Sequence, residues 1–192
     1  MRSRLSVAIL LLITGVSASP QSQPTSGDTY GGTDVTAVYR KLLPSSNPGK
    51  LSLFVSTTRT VRMCGNFTVG WKASSTYREA VSDFRRVNLR VHDLRPFLGP
   101  ENISFITERE VDSFFDGSLL TGWERFHSTY PNTDGYYAFS AIGFDKKRTL
   151  AVVYMEGICG VLCGSGEVLF LKRGLDGWSL VKPPFRTCRW DA

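Results

Sequence analysis

Histidine is nearly absent: His92 and His127 are the two in 192 residues. Structural and catalytic zinc sites draw three or four His, Cys or carboxylate ligands from short spacings. Neither histidine has an H-x-x-x-H companion, so ligand arithmetic argues against a resident metal, and no cofactor is expected. Dense runs of lysine and arginine are lacking too. The formal net charge is +6, a modest excess spread along the chain, whereas nucleic-acid binding gathers basic residues on one face or stripe. Nucleic acid is therefore not an expected partner. No G-K-[ST] ends a phosphate-cradling loop, and no G-x-S-x-G elbow presents a nucleophile. Beyond residue 13, no apolar run approaches the roughly 20 residues that span a bilayer.

What is present is enough apolar material for a core. A content of 42% hydrophobic and 12% aromatic residues excludes a wholly disordered or collagen-like chain. Residues 1–18 have the three-part build of a secretory signal: Arg2 and Arg4, an apolar run over residues 5–13, then small Gly15, Ser17 and Ala18. Cleavage after Ala18 is expected, giving a secreted or periplasmic protein without a membrane span. No cysteine follows the run to carry a lipid. Residues 19–33 read as a flexible linker of Ser, Thr, Gly, Gln and Pro, with Tyr30 the one large side chain. Residues 34–192 then form a single domain.

In that domain, Val35, Val38 and Leu42 share one helical face, with Thr33 or Asp34 as cap. Residues 51–56 alternate like a strand. Tyr77, Ala80, Val81, Phe84 and Val87 mark an amphipathic helix. Residues 103–106 read as a strand, 110–115 as a helical turn or two, and 123–130 as a helix that Pro131 stops. Four strand-like runs follow, at 136–144, 150–156, 167–172 and 178–181, joined by short connectors. The expectation is an α+β domain: N-terminal helices packed on a C-terminal antiparallel β-meander of about four strands, the other sheet face partly open.

The pattern Trp123-x-x-Phe126, Tyr130-Pro131, Gly135, Ser140-x-x-Gly143-Phe144, Ala151-x-x-Tyr154, Gly160-x-x-x-Gly164-x-Gly166 and Gly177-Trp178 resembles a family of exported bacterial proteins with no assigned activity. The resemblance implies an envelope or secreted location and supplies no catalytic residue. At the level of layout alone, the domain is similar to cystatin-like and nuclear-transport-factor-like folds, which host many functions.

Four cysteines in an exported chain permit three connectivities. Spacing favours Cys159 with Cys163, across a loop with glycines, and Cys64 with Cys188, which closes most of the domain. The rival reading makes Cys159 and Cys163 an envelope thiol or metal pair, although C-x-x-x-C before a strand lacks the helix N-terminus that stabilises a thiolate. Residues 157–166 read as a wide glycine-rich hairpin loop, with Glu156, Ser165 and Glu167 at the mouth of a pocket between sheet and helices.

No residue is assigned as catalytic. Glu124 and His127, together with that pocket, supply the parts of an alternative small hydrolase or isomerase. Glu108, Glu110 and Asp112 form either an acid–base pair or one solvated face. Arg85, Arg86, Arg90 and Arg95 are either a patch for an anionic partner or the outer face of their helix. Trp71, Trp123, Trp178 and Trp190 read as buried or half-buried anchors. Two glycosylation sequons begin at Asn66 and Asn102. The favoured reading is a non-catalytic, disulfide-stabilised protein that binds a ligand or an envelope protein.

Overall fold

The computed structural model describes residues 30–44, 49–59, 64, 67–99 and 102–192. The signal, most of the linker and the Asn66 sequon residue lie outside them. The elements in chain order are α1 (Thr33–Lys41), β1 (Ser52–Val55), α2 (Ser75–Val87), α3 (Arg95–Leu98), β2 (Ile103–Ile106), α4 (Glu108–Phe114), α5 (Leu119–Thr129), β3 (Tyr136–Phe139), β4 (Gly143–Phe144), β5 (Leu150–Gly160), β6 (Cys163–Gly174), β7 (Gly177–Val181) and β8 (Arg189–Asp191). The fold is α+β.

The sheet differs from the expected meander. It has eight strands in the order β2-β1-β3-β5-β6-β7, with β4 pairing β5 and β8 pairing β6. β1 runs parallel to both β2 and β3, while β3, β5, β6 and β7 pair antiparallel. Connection length is the cause. The long stretches from β1 to β2 and from β2 to β3 carry helices, and a crossover that long returns a strand parallel. The short turns after β5 and β6 leave only the antiparallel choice.

Helices cover both faces, not one. In β5, Leu150, Ala151, Val152, Val153 and Tyr154 are all buried, so successive side chains enter cores on opposite sides. Ala151 and Val153 join α1, Phe54, Phe139 and Leu171 in one cluster. Leu150, Val152 and Tyr154 join Ala80, Val81 and Phe84 of α2 on the other side. Farther along that second side, Leu53, Val55, Tyr136 and Ala138 pack on α4 and α5 through Val111, Trp123 and Phe126.

Residues 157–166 are not a loop. β5 and β6 pair through them, and the turn is Val161–Leu162 between Gly160 and Cys163. Their glycines mark close approach instead of flexibility. A Cβ on Gly166 would stand 2.3 Å from Trp190 Nε1 and 2.4 Å from the Tyr154 hydroxyl. The predicted strand 136–144 is split into β3 and β4, both antiparallel to β5, because the register against β5 shifts by one residue across 140–142, where the Ser140 side chain accepts from Tyr154 N at 2.8 Å. Trp123 and Trp178 are buried and Trp190 is half-buried, but Trp71 is 82% exposed and anchors nothing. Disulfides join Cys64 to Cys188 and Cys159 to Cys163, with Cα separations of 5.7 and 5.0 Å. No helix among the described residues is long and apolar enough to cross a membrane.

Candidate functional site

The five residues read as a pocket do not meet. Glu124 and His127 are exposed on α5, with the His127 ring lying against Trp123 at 5.4 Å. Ser165 lines a cavity beside the Cys159–Cys163 bridge, and Glu167 lines a separate groove under residues 182–187. Glu156 is enclosed on β5, between the α2 and α5 clusters, and both of its oxygens are engaged. Its Oε1 accepts from Arg59 Nη1 at 3.2 Å and its Oε2 from the Tyr154 hydroxyl at 2.8 Å. Trp190 Nε1 donates to that hydroxyl at 2.7 Å, and Arg59 Nε reaches Glu108 at 3.3 Å. Burial foremost, then the bond to Glu156, hold the Tyr154 hydroxyl well above the ordinary tyrosine range. A carboxylate engaged on both oxygens ties β8 and the Arg59 segment to β5.

The three clustered acids also divide. Glu110 completes a capping box with Thr107 at the start of α4, Glu108 meets Arg59, and Asp112 is exposed. Cys159 and Cys163 are joined in a disulfide, and among the described residues no three His, Cys, Asp or Glu side chains cluster as metal ligands do.

The arginine run splits more informatively. Arg85 Nη2 donates to the Phe67 carbonyl at 2.7 Å, and Arg95 forks onto Asp93. Arg86 and Arg90 instead line a cavity of about 330 Å³. α2 forms one wall because it lies flush on β4: a Cβ on Gly143 would sit 2.2 Å from the Phe84 nitrogen. Asn88, just past α2, fastens the helix end by accepting from Ala141 N at 2.9 Å and donating to the Ala141 carbonyl at 3.0 Å. Val87 and His92 continue that wall, Ile142 and Phe144 form the floor, and Tyr30 enters from the N-terminal side.

Tyr30 is held by a directional chain. The Ile142 N–H donates to the Tyr30 hydroxyl at 2.7 Å, and the Tyr39 hydroxyl donates to the Ser140 carbonyl at 2.8 Å. An N–H only donates and a carbonyl only accepts, so the 2.7 Å bond between the two tyrosines runs from Tyr30 to Tyr39. Burial, partly offset by these bonds, pushes the Tyr30 hydroxyl up to about 12. Its ring lies 4.1 Å from that of His92, whose Nε2 donates to the Val87 carbonyl at 3.0 Å. Asp83 Oδ1 accepts from Arg86, and its Oδ2 accepts from Phe144 N at 2.9 Å.

Arg148, a further wall residue, carries no motif that singles it out in the sequence. It follows the turn at Asp145, whose side chain accepts from Thr149 N and Leu150 N at 2.6 Å each. The turn places Arg148 at φ 52°, a left-handed conformation that suits glycine or asparagine. The one signal in the sequence is the absence of either residue from residues 145–149. Its guanidinium stands 4.6 Å from the Phe144 ring centre and 3.6 Å from Asp34 Oδ2. Asp34 does not cap α1. It takes Arg173 and Trp178 Nε1 besides, while Gly32 holds the cap position.

No family model matches this chain, and no curated protein or solved structure matches it either.

Proposed function

We propose that this chain is an exported, non-catalytic binding protein that takes a small ligand into the cavity between α2, the β4–β5 turn and Tyr30. The carrying observation is that cavity: about 330 Å³, with Tyr30, Asp83 and His92 of its wall each fixed by internal hydrogen bonds. Tyr30 is committed to Tyr39 and Ile142, Asp83 to Arg86 and Phe144, and His92 Nε2 to Val87. Groups held this way shape a site, and none is arranged to pass a proton to a neighbouring nucleophile. Export is supported by the leader-like residues 1–18, by the two disulfides and by the resemblance to exported bacterial proteins.

The test is a ligand-observed NMR screen with neutral, cationic and anionic fragments, run on the wild type and on Val87→Phe, which fills the cavity. Binding to the wild type, loss in a Val87→Phe protein whose near-ultraviolet circular dichroism is unchanged, and full recovery of the fragment are expected. Absence of any bound fragment, or its conversion to product, overturns the reading.

A further inference from the structure

We infer that the ligand carries one oxyanion head on an apolar body, and that Arg148 receives the head. This rests on the binding reading above and adds the chemical class. The charge balance comes first. Arg86, Arg90 and Arg148 line the cavity with one lining carboxylate, Asp83, which already accepts from both Arg86 and the Phe144 backbone, while Asp34, outside the lining, pairs with Arg148 at 3.6 Å and is shared with Arg173.

Arg148 separates itself from the other two by its donors. Among the described residues its guanidinium makes no hydrogen bond: it meets the Phe144 ring by a cation–π contact and Asp34 at 3.6 Å. A planar fork of five N–H donors matches a carboxylate or phosphate group by two parallel bonds. The aromatic surface beneath it removes water from one face and leaves the fork edge for an oxyanion.

The backbone gives a second, independent observation. A non-glycine residue at φ 52° carries backbone strain that glycine would not. Arginine thus stands at this turn against the local preference of the backbone, as at sites where a side chain must be delivered to one place. The rest of the wall sets the body of the ligand. Val35, Val87, Ile142 and Phe144 present apolar surface, and about 330 Å³ is at the small end of ligand pockets.

The probes are benzoate, phenylphosphonate, benzamide and benzylammonium, titrated calorimetrically into the exported protein at low salt. Benzoate or phenylphosphonate binds at least tenfold more tightly than neutral benzamide, and the better of the two identifies the head as carboxylate or phosphate-like. Arg148→Met removes that advantage, and so does Arg148→Gly, which also relieves the turn and therefore keeps the fold. Equal binding of benzamide, tighter binding of benzylammonium, or unchanged benzoate affinity in both variants overturns the oxyanion assignment while leaving the binding reading in place. If none of the four binds but a neutral fragment from the screen does, the assignment again falls alone. If no fragment of any charge binds, both fall.

Discussion

Tyr30 and Arg148 show how single residues carry the candidate site, and they differ in how far the sequence exposes them. Tyr30 stands out as the one large side chain in a small, polar stretch, yet nothing local says that its hydroxyl ends inside a chain of bonds from Ile142 to Ser140. That burial makes it a titration probe. In the unfolded chain a tyrosine ionises near pH 10, while in the fold this hydroxyl is pushed up to about 12. Its contribution to stability is thus fully present below pH 10 and is lost as the pH climbs toward 12. Urea unfolding of the wild type and of Tyr30→Phe at pH 9 to 12 checks this. The stability advantage of the wild type shrinks by roughly 2 kcal/mol across that range, since each tenfold change in an ionisation constant is worth about 1.4 kcal/mol; a constant difference would show that Tyr30 is not held in its neutral form by the fold. Arg148 is harder to see, because it is a turn residue whose interest lies in what it is not.

At the scale of elements, periodicity is enough for four of the five helices, while the four-residue α3 is too short for any period to register. α1, α2, α4 and α5 lie where apolar residues recur at three and four, and α2 shows why: Ala80, Val81 and Phe84 are its buried stripe. Pairing of strands was legible only where connections are short. β1 and β2 were visible as strands, but their parallel partnership follows from the helices between them, which a reading focused on the C-terminal meander passes over. β8 is three residues long, too short for any alternation to register. The glycines misled most. Those of β5 and β6 suggested a flexible loop, whereas they admit Tyr137, Tyr154 and Trp190 against the strand. Gly143 belongs to the same class on the α2 side, and it supports the cavity wall. With Phe84 N, Phe84 Cα and Ala80 O all within 2.6 Å of a Cβ there, Gly143→Ala must push α2 off β4. Backbone atoms cannot rotate away, so the expected loss is at the upper end for core overpacking, about 3 kcal/mol. Thermal unfolding checks it, and a variant with wild-type stability would mean that α2 does not lie flush on this strand.

For the molecule as a whole, the two disulfides divide the work by the length of chain they close. Cys159 and Cys163 are separated by 4 positions and bridge one hairpin; Cys64 and Cys188 are separated by 124 and join the segment before α2 to the segment before β8. On the chain-entropy relation the short bridge stabilises by about 2 kcal/mol and the long one by about 5. The second figure rivals the whole stability of many domains, roughly 5 to 15 kcal/mol. It also acts where the topology is weakest: β8 pairs β6 through three residues, and Trp190 reaches the clamped Tyr154–Glu156–Arg59 chain only if that strand stays docked. Urea unfolding without reductant separates the two bridges. Replacing Cys159 and Cys163 together by Ser leaves a cooperatively folded protein about 2 kcal/mol weaker, whereas replacing Cys64 and Cys188 together leaves it near or past its midpoint at about 37 °C. If the hairpin bridge proved the costlier to remove, local strand pairing, and not closure of the long loop, would be what holds this sheet together.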